Sequence, residues 1–410
     1  VINSRSLPSI KRSKSPGYPF TSISTKKGGF CVDSETIEFN EDFINFFNEF
    51  ERNVSDSNDA ATCSIVKGCL KCEARSIDKV TEGKTRLFTC CPIHEFVIQR
   101  KYFYDVASEY MHKNLAHNSA LGLSPEDYGL IHMYLTEAGD DCSVLAGDFA
   151  SLDLHITPAK LNAILFYWFN LFDKKFVGDT ISHSYFGECD YWRRMMVVLM
   201  GRIAHFYMLY GDKLVKWLGH PSGSFLTTVI NITMQQISWP IAIWMACRGS
   251  VSLETVSRKC KMVFLGDDSL ISVPEKIVKC VDLTILQDTM SNILGLPVTD
   301  GSDKDLPLSF APIWNGQGRS SYSFLSRYFV RNGDRIVGVL DPKKVVKTIS
   351  FCEVGKELNN MPDQMLAFLI ELRNYDLSDP LFAETYNRCK EVLDDIEPGF
   401  LSKYIDCVED

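Results

Sequence analysis

The stretch Met262-Val263-Phe264-Leu265-Gly266-Asp267-Asp268-Ser269-Leu270-Ile271-Ser272-Val273 reads as a buried strand, a tight acidic turn and a second buried strand. Both apolar runs are short, so a hairpin with two carboxylates at its tip is expected. Like charges held that close raise the local energy unless a cation neutralises them. Mg2+ prefers hard oxygen ligands and few protein carboxylates, which leaves positions for water and phosphate. By itself Gly-Asp-Asp is also a common surface turn, so its meaning depends on its surroundings.

Upstream, Val144-Leu145-Ala146-Gly147-Asp148-Phe149-Ala150-Ser151-Leu152-Asp153 sets one carboxylate at the end of an apolar strand and another five residues on. If this strand lies beside the hairpin, Asp148 joins Asp267 in a cluster able to hold two metal ions. One would activate a hydroxyl nucleophile and the other would steady a leaving pyrophosphate. The plain alternatives are a strand-ending turn at Asp148 and a helix N-cap at Asp153, ahead of Thr157-Pro158.

Trp217 to Cys247 carries no Asp, Glu, Lys or Arg. Its many Ser, Thr, Asn and Gln side chains exclude a membrane span, and Pro240 is expected to interrupt its second half. As a helix it sets Thr227, Asn231 and Gln235 on one polar stripe facing a polar cavity; a core helix that satisfies neighbouring backbone is the simpler alternative. Before it, Phe206 to Trp217 predicts a hairpin around Tyr210-Gly211-Asp212, leading into His220-Pro221-Ser222-Gly223. Arg75, Lys79 and Gly83-Lys84-Thr85-Arg86 gather the cations that phosphate needs, although a solvated basic loop would have the same composition. Lys304, in Gly301-Ser302-Asp303-Lys304, says nothing in isolation.

The 410 residues suggest two or three units. With 45% hydrophobic and 23% charged residues, 25 Gly and 16 Pro, the composition is globular and excludes disorder, collagen and coiled coil. The 14 cysteines are sparse, no signal peptide opens the sequence and Cys90 adjoins Cys91, so a reducing cytosolic setting is expected. Cys69 and Cys72 have metal-ligand spacing, with Cys90 and Cys91 within reach, yet no second CxxC or His pair completes a zinc signature. A net charge of -9 argues against a wholly basic grip on nucleic acid. However, Arg5, Lys11, Arg12, Lys14, Lys26 and Lys27 form one basic block and 67 to 86 another, with acidic residues between, as in a basic channel inside an acidic exterior. Helical spacing over 39–50, 95–113, 158–173 and 277–294, strands at 144–147, 262–265 and 269–273, and a mostly helical small lobe after Val337 make the fold α+β, without a βα repeat.

The order of these elements is itself informative: basic segment, Asp148-x4-Asp153, Ser222-Gly223 followed by Thr227 and Asn231, Gly266-Asp267-Asp268, Lys304, then Phe324-Leu325-Ser326-Arg327-Tyr328-Phe329. It resembles the motif series of viral RNA-dependent RNA polymerases, most closely the picornavirus-like positive-strand group. The resemblance begins at Ser15-Pro16-Gly17-Tyr18-Pro19-Phe20, similar to the motif where the template enters, and covers nearly the whole chain. It implies a right hand: fingers from 1–140 and 172–205, a palm with a small antiparallel sheet from 141–171 and 206–330, and a helical thumb from 331–410.

The same resemblance implies metal binding by Asp148 and Asp267, with Asp268 supporting, and ribose recognition by Asp153 and Asn231, with Ser222 and Thr227 nearby. The 2'-OH suits such a pair, being both donor and acceptor. Arg75, Lys79, Lys84 and Arg86 would bind the triphosphate, Lys304 would act as general acid, and Ser15, Gly17, Tyr18, Gly223 and Arg327 would meet RNA. Leu265 stands where relatives often have Tyr, and Ser326 where Lys is common. Only Val1 to Lys14 precede the Gly-Tyr-Pro motif, so the chain is expected to be a piece of a polyprotein lacking part of the fingers. The implied partners are template, primer, NTPs, two Mg2+ ions (Mn2+ as substitute), a genome-linked protein primer and other viral replication proteins, on membrane-bound complexes in the host cytoplasm. A reverse transcriptase is the nearest rival, and a non-catalytic RNA-binding module is the rival of another class.

Overall fold

The computed structural model describes residues 10–32, 38–56, 64–71, 77–139, 141–176, 194–204, 206–217, 219–302, 306–314, 318–340, 361–374, 380–396 and 398–399. With strands numbered in chain order, β1 (Ser64–Leu70), β2 (Leu87–Cys90), β4 (Phe206–Tyr210) and β5 (Lys213–Trp217) form a sheet in the order β2-β1-β4-β5. The hairpin expected at 206–217 is present, turning at Gly211 with φ +59°. It is hydrogen-bonded to β1 in parallel, beside the basic segment, and so does not join the central sheet.

The central sheet consists of β3 (Cys142–Phe149), β6 (Lys261–Leu265), β7 (Asp268–Pro274), β8 (Val298–Asp300) and β9 (Phe310–Pro312), all antiparallel, in the order β6-β7-β3-β8 with β9 also on β3. Alternation along the strands divides its two faces. Leu145, Phe149, Met262, Phe264 and Ile271 enter the main core with residues of helices Pro158–Phe176 and Thr227–Ala246. Val144, Ala146, Val263 and Leu270 pack instead with Tyr128, Tyr322, Phe324 and Phe329. The latter three belong to a third sheet, β10 (Arg319–Phe324), β11 (Arg327–Asn332) and β12 (Arg335–Leu340). Position 331 therefore falls inside a strand. Helices Met361–Leu372 and Pro380–Ile396 share a smaller core through Leu369, Leu372 and Leu393.

Two sequence expectations differ from the structure. The 277–294 segment is split into helices Glu275–Val278 and Leu283–Asp288 and a π-helical turn Thr289–Ile293, because the Asp282 carboxylate accepts from the N–H groups of Thr284 and Ile285 and starts a new helix. Pro240 does not interrupt the Thr227–Ala246 helix. Trp239, Ala242, Ile243 and Ala246 are fully buried on both sides of it, and that packing offsets the roughly 3 kcal/mol that an internal proline costs. Among the described residues no helix is long and apolar enough to cross a membrane.

Helix Ile93–His112 joins the first sheet to the main core. The buried Glu95 accepts from Arg202 of the π-helical segment Val197–Ile203, Nε to Oε1 being 2.9 Å. Beside this pair, burial drives His94 down to about 4, Arg202 assisting and Glu95 opposing. The unfolded chain then takes a proton near pH 6.5 that the folded chain refuses until about pH 4. Unfolding free energy is thus expected to fall from pH 7 to pH 4, by up to about 3 kcal/mol from this group, and denaturant titrations of His94→Phe should show a shallower slope across that window.

Gly147 is a second local constraint. A Cβ there would stand 2.6 Å from Ser269 Oγ and 2.8 Å from Trp239 Cζ2. Gly147→Ala should therefore destabilise the protein by about 1–3 kcal/mol in a denaturant melt.

Candidate active site

Across the β3–β7 ladder Asp268 is paired with Asp148, and Leu265 closes the hairpin opposite Asp268. Only Gly266 and Asp267 lie between the strands; Gly266 has φ +63°, which a two-residue turn led by glycine requires. The Phe149 N–H donates to the Asp267 carbonyl at 3.4 Å. Directly opposed residues have Cα atoms about 5 Å apart. The three aspartates proposed from sequence are therefore neighbours at one end of the sheet, although more than a hundred positions separate Asp148 from the other two.

The helix Thr227–Ala246 lies behind this tip, and its polar stripe has identifiable partners. Gln235 Nε2 donates to the Gly266 carbonyl at 2.7 Å, Asn231 Oδ1 lies 2.9 Å from His220 Nε2, and Thr227 Oγ1 lies 3.0–3.1 Å from the carbonyls of Pro221, Ser222 and Ser224. The loop before the helix is pinned to the first sheet. Thr89 N–H donates to Ser222 Oγ at 3.2 Å, Gly223 N–H donates to Thr89 Oγ1 at 3.1 Å, and a Cβ on Gly223 would overlap the Thr89 carbonyl. Buried Gln99 accepts from Ser224 Oγ and from the Phe225 N–H. Asp153 is in the short helix Leu152–His155, and its carbonyl accepts from the His220 N–H at 2.9 Å.

The remaining sequence candidates are spread around this centre. Lys79 is exposed in helix Ile77–Thr81, Lys84 forms an exposed pair with Glu82, and the Arg86 carbonyl accepts from the Lys71 N–H. Arg75 and Lys304 lie outside the described residues, as does Cys72. Gly17 has φ +76° and packs against Cys91 and Pro92, the Ser15 hydroxyl accepts from its N–H, and Tyr18 is exposed. Cys69 and Cys90 have their sulfurs 3.7 Å apart, and burial, with Cys69 beside it, pushes the Cys90 thiol up to about 11.

Arg327 is held by protein. Its Nη1 donates to the Gly338 carbonyl at 2.9 Å and to Glu371 Oε2 at 2.8 Å, while Nη2 donates to the other Glu371 oxygen. The hairpin before it turns at Leu325 and Ser326, both at positive φ, and the Tyr128 hydroxyl donates to the Phe324 carbonyl at 2.7 Å. Burial foremost, then the nearby Asp268 and Glu371 charges, keep that phenol protonated against the pull of Arg327. Gln235, Thr89, Gln99, Tyr128 and His220 thus support the site without standing among its sequence candidates. Of these, Gln235 left a sequence signal as the third member of the polar stripe, and His220 only as part of the His220-Pro221-Ser222-Gly223 turn.

Among the described residues no three His, Cys, Asp or Glu side chains already converge on a metal-sized point. Asp148, Asp267 and Asp268 nonetheless supply carboxylate oxygens at adjoining positions. These suit Mg2+, which completes its octahedron with water and substrate phosphate.

The profile of the family described as "Viral RNA-dependent RNA polymerase" matches residues 4–386. The chain belongs to this family, and the enzyme class it defines is RNA-dependent RNA polymerase. It is 24% identical over 299 residues to the replicase polyprotein of Drosophila C virus, covering 69% of this chain and 16% of that polyprotein. With the replicase polyprotein of Cricket paralysis virus it shares 25% identity over 320 residues, 72% of this chain and 17% of the polyprotein. The chain therefore spans about a sixth of each of these relatives. The Sicinivirus 3Dpol RNA dependent RNA polymerase superposes with a TM-score of 0.73 at 16% identity, covering 98% of this chain and 79% of that one. The fold is the α+β right hand that the sequence resemblance implies.

The Arg327–Glu371 pair is expected to stabilise the contact between β11 and helix Met361–Leu372. A double-mutant cycle with Arg327→Ala and Glu371→Ala should give a coupling of about 1–3 kcal/mol in thermal or denaturant melts.

Proposed function

We propose that the chain performs template-directed RNA synthesis in viral genome replication. A nucleoside monophosphate passes from NTP to an RNA 3' hydroxyl, or to the hydroxyl of a genome-linked protein primer, and pyrophosphate leaves. The observation that carries this reading is the β3–β7 register, which sets Asp148 against Asp268 and next to Asp267. Two Mg2+ ions, or Mn2+ in their place, would supply Lewis-acid stabilisation of the attacking and leaving oxygens. Asp148 and Asp267 would hold them, with Asp268 in support.

In this mechanism Asp153 and Asn231 read the ribose, and Ser222 and Thr227 shape the loop and helix beside it. Arg75, Lys79, Lys84 and Arg86 steer the triphosphate, and Lys304 protonates the departing pyrophosphate. Ser15, Gly17, Tyr18, Gly223 and Arg327 border the RNA. Arg327, through Glu371, supports the hairpin that positions the primer end. Residues 1–140 and 172–205 serve as fingers, 141–171 and 206–330 as palm, and 331–410 as thumb. Other viral proteins bring the enzyme to membrane-bound replication complexes in the host cytoplasm.

NTP incorporation on a primed RNA template tests this reading. Asp267→Ala should lower incorporation at least about a hundredfold without loss of thermal stability; incorporation at the wild-type rate would remove the metal assignment. Efficient dNTP incorporation would favour a reverse transcriptase, and RNA binding without incorporation in Mg2+ or Mn2+ would favour a binding module.

A further inference from the structure

His220 lies between the two residues assigned to the ribose and is bonded toward both. Its main-chain N–H donates to the Asp153 carbonyl at 2.9 Å. Gly219, at φ +92°, brings the loop so close that a Cβ there would lie 2.2 Å from that same carbonyl and 2.7 Å from Leu154 Cα. The His220 ring reaches the other way, with Nε2 2.9 Å from Asn231 Oδ1. His220 is fully buried, while Asn231 keeps 6% of its surface exposed. One residue thus fixes both the spacing of Asp153 from Asn231 and the orientation of the Asn231 amide.

Orientation matters because an amide can present either an acceptor or two donors. Asn231 Oδ1 can only accept, so the His220 nitrogen facing it carries the proton. The Asn231 NH2 is then left as the group offered to a ligand. Asp153 offers only acceptors. A 2'-OH fits this arrangement in one sense: it donates to the Asp153 carboxylate and accepts from the Asn231 Nδ2 group. A 2'-deoxyribose would leave both protein groups without that partner, and this kind of loss discriminates strongly. One turn along the helix, Gln235 holds the Gly266 carbonyl, so the amide is referenced to the acidic turn.

We propose that His220 is a positioning residue that fixes the polarity of the Asn231 amide and so selects ribonucleotides over deoxyribonucleotides. This rests on the assignment of Asp153 and Asn231 as the ribose-reading pair. Burial supports it by lowering the imidazole's affinity for protons, against the opposing pull of Asn231, Asp153 and the Pro221 backbone, which favours the neutral ring.

The test measures kcat/KM for an NTP and its dNTP on a primed RNA template, with the full chain as wild type, His220→Leu and His220→Gln. In His220→Leu the Asn231 oxygen loses its donor and the amide is free to turn. The NTP-to-dNTP ratio should fall about tenfold, through loss of NTP use, one hydrogen bond to a polar partner being worth roughly that factor. In His220→Gln the new amide can donate to Oδ1, and the ratio should return toward wild type. His220→Met replaces the leucine variant if that variant does not fold. An unchanged ratio, or an equal loss for both nucleotides, would overturn the proposal while leaving the polymerase reading intact. A wild-type chain that incorporates neither nucleotide would overturn both.

Discussion

The site depends on one antiparallel register. Seven residue pairs join β3 to β7, from Cys142 with Pro274 to Asp148 with Asp268, and the last pair sets two like charges opposite each other. Such a pair opposes strand association, so the ladder beneath it has to hold it in place. Leu145, Phe149 and Ile271 are buried on one face and Val144, Ala146 and Leu270 on the other, so a slip by one residue would exchange two cores at once. The Ser269 hydroxyl donates to the Gly147 carbonyl one position below the aspartates and reinforces the same alignment.

The helix Thr227–Ala246 carries this alignment to the His220 loop. On one stripe Asn231 and Gln235 connect the His220 loop to the acidic turn. On another, Thr233 and Gln236 bind Tyr110, Trp168 and the His117 carbonyl, which fixes the helix against the core. The loop that starts the helix is held by Thr89 of β2 and Gln99 of helix Ile93–His112. The residues proposed to read the nucleotide and the metal-binding candidates therefore share one hydrogen-bonded frame, while the segment that enters the frame is bonded to a different sheet.

What the sequence disclosed was local. The acidic hairpin, the 206–217 hairpin and the uncharged helix each announce themselves through periodicity and a glycine turn, and the structure has all three. The juxtaposition of Asp148 with Asp267 and Asp268 needed the order of motifs, because nothing in either strand encodes its partner. The parallel pairing of β1 with β4 joins residues far apart in the chain and left no local trace. That Arg327 is tied to Glu371 left no sequence signal, because Glu371 belongs to a helix beyond the third sheet, where no spacing rule could locate it. His220 was visible only as part of a turn-rich segment; its meaning comes from a ring that meets Asn231 eleven positions on.

Divalent-ion binding reports on the carboxylate cluster more directly than turnover does. With Mn2+ as a paramagnetic probe and NTP present, electron paramagnetic resonance on the full chain should show bound ion in the wild type. That signal should be greatly weakened in Asp148→Asn and in Asp267→Asn alike. Binding of Mn2+ that is the same in all three proteins would contradict a shared metal site at the end of the β3–β7 ladder.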